Sequence, residues 1–292
     1  MTNDWRAAAE AAAAQLRDRL GLDDVAAGVV LGSGWGPLTA GWGAPVAAVP
    51  TAQVAHFRAP VAPGHDGRIL RFDLPGPDGE ARPVVALAGR THLYEGHGPG
   101  AVAHGVRTLA ALGAGTVVLT NANGSLRPEW PLGRVVALTD HLNLTGVSPL
   151  EGASFVDLTA AYDPDLRAGL LAAAAEDGVE LATGVYAMLA GPHYETAAEA
   201  GMVRALGADV LGMSTVLEAI AAREAGLRVL ALSTVTAHEA SGEQIDPDEV
   251  VAVAEAAAGR LSPAVRRVLA GLPPSHPHVP APSVAGSKET TS

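Results

Sequence analysis

The sequence predicts a single α/β domain in which helices cover both faces of a sheet. Short runs rich in β-branched residues recur along the chain, and helical patterns separate several of them. This alternation is typical of α/β proteins, whose strands lie buried between layers of helices. The length of 292 residues fits one large domain, and the chain shows no internal repeat and no second domain boundary.

The predicted elements follow one another in a regular order. An alanine-rich segment from Trp5 to Leu20 predicts an opening helix. Apolar, β-branched runs predict buried strands at 29–31, 84–87, 116–119, 135–138 and 229–232. Between them, helical patterns cover Ala101–Leu112 and Thr215–Ala225.

The last predicted helix has a clear start signal. Asp246 is a suitable N-cap, Pro247 fits the first helical position, and Glu249 would complete a capping box. The helical pattern ends near Leu272, which gives a folded domain over 1–272. Residues 273–292 are rich in Pro, Ser and Thr with few apolar side chains, so we expect a disordered tail.

Composition excludes several classes of function. The 31 acidic and 19 basic residues give a formal net charge of -12, which disfavours binding to nucleic acid or to an anionic membrane. A small anion is still a possible ligand, because a few local donors can outweigh the global charge. There is no cysteine, hence no disulfide and no thiolate chemistry. With no secretory signal and no apolar run of membrane-spanning length, we expect a soluble, cytoplasmic protein.

Two glycine-rich segments are candidate anion sites. Gly32-Ser33-Gly34-Trp35-Gly36 directly follows a predicted strand, and its glycines would let the backbone approach an anion while Ser33 adds a hydroxyl. An ordinary strand-to-helix turn explains the same residues equally well. The second segment, Gly64-His65-Asp66-Gly67-Arg68, is more often only a turn.

The segment Gly89–His97 also follows a predicted strand. If that strand continues through it, Arg90, His92 and Tyr94 alternate onto one face. Ligands of open α/β sheets gather beyond the carboxyl ends of strands, and Arg and His are suitable phosphate donors. Burying three such groups is costly without a ligand, which favours a binding site over a polar surface loop.

Two further segments combine small and polar residues. Thr120–Ser125 follows another strand and would allow close backbone approach to a ligand, although a plain turn is as consistent with it. The block Gly184–Ala240 contains Glu195 and Met213. Glu195 could be only a favourable partner of a helix dipole, and Met213 could be only a core residue.

Taken together, these segments resemble the trimeric purine nucleoside phosphorylases. The resemblance spans roughly Leu31–Leu272 and rests on eight motifs in family order: LGSGWG, PGHDGR, GRTHLYEGH, TNANGSL, TDHLNLTG, FVDLTAAY, GVYAMLAGPHYET and LGADVLGMST. It implies a mixed twisted sheet, distorted towards a barrel and flanked by helices. The implied activity is reversible phosphorolysis of purine (deoxy)ribonucleosides, chiefly inosine and guanosine, to free base and (deoxy)ribose 1-phosphate.

The resemblance also implies roles for individual residues. No metal or cofactor is expected, and inorganic phosphate is a co-substrate. Phe155 would close the ribose pocket of a neighbouring subunit in a homotrimer. The implied phosphate ligands are Ser33, His65, Arg90, His92, the backbone N–H of Ala122, and Ser214; the ribose contacts are Tyr94, Met213 and Phe155; the base contacts are Tyr194, Glu195, Leu211 and Ala237.

The chain departs from the family pattern at two positions. Ala237 stands where the family usually has an Asn that bonds the base, and Pro247 stands where it often has a His near the ribose 5′-hydroxyl. His238 is the nearest substitute donor, so we take His92, Glu195 and His238 as candidate catalytic residues. The alternatives are a phosphorylase with altered base or 5′-group preference, a nucleosidase that uses water, and a non-catalytic purine-binding relative.

Overall fold

The computed structural model describes residues 5–62, 64–239 and 246–273, and these residues form nine strands and six α-helices. The strands are β1 (Ala27–Leu31), β2 (Ala47–Pro50), β3 (Arg68–Pro75), β4 (Ala81–Ala88), β5 (Thr116–Ser125), β6 (Val135–Asn143), β7 (Ala182–Met188), β8 (Val210–Gly212) and β9 (Arg228–His238). The helices are α1 (Trp5–Leu20), α2 (Gly98–Ala111), α3 (Pro164–Glu176), α4 (Ala197–Ala205), α5 (Val216–Glu224) and α6 (Pro247–Ala270).

All nine strands belong to one mixed sheet, part of which closes on itself. The strand order is β2-β3-β4-β1-β5-β8-β7-β6-β9, and β9 also pairs with β5. The strands β5, β8, β7, β6 and β9 therefore form a closed ring, and β1 to β4 extend from β5 as an open arm. The expected α/β sheet distorted towards a barrel is confirmed.

Helices cover both faces of the sheet and bury two hydrophobic layers. In β1 alternate residues enter different layers: Val30 packs with α1, α2 and α5, whereas Val29 packs with α3 and α6. Both side chains are fully buried. A strand buried on both faces explains why its sequence is a continuous apolar run instead of an alternating one.

The five strands and four helices predicted from sequence are all present, and one detail differs. Asp246 caps α6 by accepting a hydrogen bond from the Asp248 N–H at 2.9 Å. Within the described residues, Glu249 makes no return bond, so the predicted capping box is reduced to a single cap. The predicted tail lies outside the described residues from 274 onward. In the described part of the chain no helix combines the length and the apolarity that crossing a membrane requires.

The layer between α3 and α6 yields a stability prediction. Leu170 of α3 is fully buried there. Replacing it by Ala should lower the free energy of unfolding by about 2–5 kcal/mol, because the truncation leaves a cavity. Leu132, which is 52% exposed, provides the matched control, and its change to Ala should be close to neutral. Urea unfolding of both variants measures the difference, and equal losses would contradict this packing.

Candidate active site

A cavity of about 160 Å³ lies where the carboxyl ends of β1, β5 and β9 meet. Eleven of the residues proposed from sequence line it: Ser33, Arg90, His92, Tyr94, Ala122, Tyr194, Glu195, Leu211, Met213, Ser214 and Ala237. Three others, His65, Phe155 and His238, do not line it. The fold thus gathers segments as far apart in the chain as Ser33 and Ala237, as expected at the carboxyl edge of a sheet.

The loop after β1 packs against β5 because it begins with glycine. A Cβ at Gly32 would lie 2.5 Å from the Thr120 carbonyl oxygen, so no side chain fits there. The Gly32 N–H also donates a hydrogen bond to the Thr120 hydroxyl at 3.0 Å. This close approach brings Ser33 to the cavity wall beside Ala122.

The segment after β4 differs from the sequence prediction. The strand ends at Ala88, and residues Leu93–Glu95 form a short 3₁₀ helix, so the face shared by Arg90, His92 and Tyr94 does not come from strand alternation. Instead, aromatic stacking aligns the side chains. The ring of His92 lies between those of Tyr94 and His65, with centroid distances of 4.8 and 5.3 Å.

His65 is held in one neutral tautomer behind the cavity wall. Its Nδ1 accepts a hydrogen bond from the Arg90 N–H at 3.1 Å, which leaves the proton on Nε2. Nε2 lies 3.4 Å from the Ser33 hydroxyl. Burial, assisted by the Arg90 charge, lowers the pKa of His65 to about 4. His65 therefore supports Ser33 as a neutral ring instead of contributing a charge.

His92 is neutral as well. Its Nδ1 lies 3.3 Å from the Glu95 carboxylate, which also accepts the His92 backbone N–H at 2.7 Å. A carboxylate only accepts, so Nδ1 carries the proton and Nε2 presents a lone pair. Burial, followed by the Arg90 charge, lowers the pKa of His92 to about 3. The ring can accept a hydrogen bond from a protonated phosphate oxygen.

Arg90 is the buried cation of the site. Its guanidinium bonds Glu218 at 2.7 Å and the Thr215 hydroxyl at 3.1 Å, and it also bonds the Thr120 carbonyl oxygen. The side chains of Arg90 and Glu218 are each only 3% exposed. The buried Nε of Arg90 has no partner among the described residues, which leaves it a donor for a ligand.

The start of α5 completes this polar end of the cavity. Ser214 and Thr215 lie immediately before the helix, where unpaired N–H groups and the helix dipole favour an anion. Thr215 has a φ of 76°, an unusual conformation for a β-branched residue, and its hydroxyl is bonded by both Arg90 and Asn121. The Ser214 N–H donates to the Tyr186 hydroxyl at 3.3 Å.

Glu195 and Tyr194 lie at the other end of the cavity. The N-terminus of α4 is capped by Thr196, whose side chain pairs reciprocally with Glu199, so Glu195 is not needed as a helix-terminus charge. The Glu195 Oε2 is buried without a partner among the described residues. Burial raises the pKa of Glu195 above its usual value. This oxygen is an acceptor available to a ligand N–H.

A bulge in the pairing of β5 with β9 determines which residues reach this end. The register shifts between Asn123 and Gly124, so Gly124 pairs with Ala237. Bulges of this kind redirect side chains and are frequent next to active sites. Beyond the bulge, alternate residues of β9 point in opposite directions.

The proposed role of His238 is therefore corrected. Its Nε2 lies 2.7 Å from the Trp130 carbonyl oxygen, and neither residue lines the cavity. Glu239, which the sequence analysis did not select, lines the cavity beside Ala237. Period-two alternation from Ala237 would have indicated Glu239, since residues two apart in a strand share a face.

Phe155 lies outside this cavity and is 92% exposed in the single chain. Covering its ring with another surface would be favourable, because apolar area removed from water stabilises an assembly.

The chain is similar to proteins of known family. The model of the family described as Phosphorylase superfamily matches residues 26–270. The chain belongs to the phosphorylase superfamily. Within it, this chain is 47% identical over 264 residues to the purine nucleoside phosphorylase of Mycobacterium tuberculosis, covering 90% of this chain and 95% of that protein. It is 48% identical over 256 residues to that of a Cellulomonas species, covering 87% and 89%.

Solved structures of the phosphorylase superfamily share the fold. A Schistosoma mansoni purine nucleoside phosphorylase in complex with adenosine superposes with a TM-score of 0.81 at 32% identity, covering 91% of this chain and 97% of that one. Isoform 2 from the same organism, in complex with cytosine and ribose-1-phosphate, gives the same TM-score at 30% identity, with the same coverage.

The buried Arg90–Glu218 pair leads to a stability prediction. Glu218→Ala leaves the guanidinium buried without its counter-charge and should cost about 3–5 kcal/mol of the free energy of unfolding. Glu180→Ala is the control, because Glu180 is 82% exposed in its pair with Arg134 and its loss should cost about 0–1 kcal/mol. Denaturant unfolding measures both changes. Phosphate should restore part of the Glu218→Ala loss, and identical stabilities for the two variants would refute the assignment.

Proposed function

We propose that this protein is a purine nucleoside phosphorylase, which cleaves a purine nucleoside with inorganic phosphate to give the free base and pentose 1-phosphate. One observation carries the proposal: a single cavity has oriented donors and a buried arginine at one end and an unpartnered buried carboxylate at the other. The relatives named as purine nucleoside phosphorylases support it.

The polar end suits phosphate. Ser33, Ser214, the Arg90 Nε and the start of α5 provide donors from different elements. The neutral His92 presents an acceptor to the one proton that hydrogen phosphate carries. Donors fixed by the fold stabilise charge without reorganising during the reaction, and holding both substrates together removes much of the entropic barrier.

Phosphate in this position attacks the anomeric carbon of the nucleoside as the bond from that carbon to N9 of the base breaks. The sugar passes through a cationic, oxocarbenium-like transition state, which the phosphate charge stabilises. The bonding electrons move to the purine. Hydrogen phosphate loses its proton as its oxygen bonds the sugar, and the departing base takes up one proton, so that the products are the pentose 1-phosphate dianion and the neutral base. Tyr94 and Met213 also line the cavity, and we propose that they hold the pentose.

The opposite end suits a 6-oxopurine. The unpartnered Oε2 of Glu195 can accept the N1–H of hypoxanthine or guanine. Tyr194 and Leu211 supply the flanking surface. We therefore propose inosine and guanosine as substrates in preference to adenosine. Because Ala237 offers no hydrogen bond at this end, an altered base preference is the second candidate function.

We further propose a homotrimer in which Phe155 of one subunit covers the pentose site of its neighbour. The exposure of 92% for this side chain in the single chain is the supporting observation. No metal or cofactor takes part in the proposed reaction, and phosphate is a co-substrate.

Removing the guanidinium of Arg90 tests the phosphate site. Arg90→Ala should lower kcat/KM for phosphorolysis of inosine by about 10²–10³-fold, the effect of losing one preorganised donor to developing charge. Coupled detection of free hypoxanthine, with and without phosphate, measures the rate. Arg267→Ala, which removes a cation bonded to Asp177 far from the cavity, is the control and should retain full activity. Near-normal phosphorolysis by Arg90→Ala would exclude this assignment.

Subunit mixing tests the shared site. Phe155→Ala and Glu195→Gln should each lower phosphorolysis, because one removes the neighbour's contribution and the other the base acceptor. Unfolding and refolding the two variants together should restore part of the activity, since some sites then combine an intact Glu195 with an intact Phe155. Light scattering should give the mass of three chains. A mixture no more active than its components, or an active monomer, would contradict the trimer.

A further inference from the structure

Glu239 is placed in the cavity by the backbone of the closed ring. Its N–H donates to the Ser125 carbonyl oxygen at 2.9 Å, which extends the pairing of β9 with β5 by one residue. Its carboxyl group lies over Gly124, where any Cβ would overlap it. Glu239 and Glu195 line the same cavity, with Ala237 also in its wall.

The groups facing Glu239 are anionic or neutral. The loop before α4 contributes Glu195 and Tyr194, and Asp246 at the start of α6 faces Tyr194. The packed part of β5 contributes Gly124, which has no side chain. Among the described residues no basic side chain acts on Glu239. Of the basic side chains in the described residues, Arg90 and His92 line the cavity at its phosphate end, and His193 acts on Glu195.

We propose that Glu239 acts as a protonated carboxyl group that donates a hydrogen bond to the N7–O6 edge of the purine as the base departs. This inference rests on the proposed phosphorolysis and assigns a residue to the leaving-group contact that Ala237 cannot make. Glu239 and Glu195 then play opposite roles: Glu195 accepts from the base as a carboxylate, and Glu239 donates to it as the protonated acid.

The electrostatics of the pair agree with this assignment. Burial raises the pKa of Glu239 to about 7, and the charge of Glu195 adds to the shift. Of two neighbouring carboxyl groups in a desolvated site, the second ionises only at a higher pH than the first, and between the two pKa values the pair plays opposite roles. The donor form is therefore present below about pH 7 and is lost as the pH rises through this value.

Two nucleosides with opposite hydrogen-bonding at N7 test the proposal. Inosine has an acceptor at N7, whereas 9-deazainosine, its uncleavable C-nucleoside analogue, has an N–H donor there. Titration calorimetry without phosphate should show inosine affinity falling up to about tenfold between about pH 5.5 and about pH 8, as the protonated fraction falls to about one in ten. The affinity for 9-deazainosine should rise over the same range.

The matched variant is Glu239→Gln, which keeps the size and a permanent N–H donor but does not titrate. It should bind inosine with little pH dependence and retain phosphorolysis at alkaline pH, where the wild-type rate falls. The ionisation of Glu195 and that of inosine affect the wild type and Glu239→Gln alike. The difference between the pH profiles of the two proteins therefore reports the ionisation of Glu239. Glu239→Leu should bind inosine at least about tenfold more weakly at low pH, as expected for a lost buried donor.

The outcomes separate this inference from the proposed function. Superimposable pH profiles for wild type and Glu239→Gln, or parallel trends for inosine and 9-deazainosine, would overturn the role of Glu239 while phosphorolysis itself persists. Absence of phosphate-dependent cleavage of any purine nucleoside would overturn the proposed function instead. Opposite trends in the wild type that disappear in Glu239→Gln establish the carboxyl donor.

Discussion

The parallel pairing of β5 with β9 is the constraint on which the rest of the site depends. It closes the five-strand ring and brings the ends of two distant strands side by side. A chain of buried hydrogen bonds then connects β5 with β9 and continues to the start of α5. Asn123 donates to Ser233 at 2.7 Å, Ser233 bonds Asn121, Asn121 donates to Thr215 at 2.8 Å, and Arg90 donates to Thr215 at 3.1 Å. Since each group is fixed by the next, the ring and the polar end of the cavity form one unit.

An anion site in a chain with net charge -12 needs a local explanation. The charge of Arg90 is balanced by Glu218, and the two nearby histidines are neutral, so this end of the cavity carries little net positive charge. The phosphate site that we propose here depends instead on hydrogen-bond donors located at strand ends and at the start of α5. A balanced ion pair also avoids an isolated buried cation when the site holds no ligand.

The sequence predicted the helices and strands well because a strand buried on both faces has a continuous run of apolar residues, as β1 does. Eleven proposed site residues line the cavity because they occur in contiguous motifs beside predicted strands. His238 was chosen for its nearness to Ala237 in the chain, although period-two alternation from Ala237 points to Glu239. What the local pattern does not show is that Ala237 itself faces the cavity, because this depends on a bulge between two strands more than 100 residues apart. Glu218 had no local signal either, since its importance comes from Arg90, 128 residues away.

Desolvation acts in the same direction at both ends of the cavity. It lowers the pKa of His92 to about 3 and raises that of Glu239 to about 7, and each shift favours the uncharged form. Phosphorolysis moves negative charge from the phosphate to the departing purine, so both ends must stabilise an anion at different moments. Uncharged donors do so without first losing a counter-charge: the hydroxyls of Ser33 and Ser214 at one end and the proposed Glu239 carboxyl group at the other. Burial strengthens the dipoles of such donors. An amide donor would serve at any pH, whereas a carboxyl donor ties this contact to the protonation state of a single buried group.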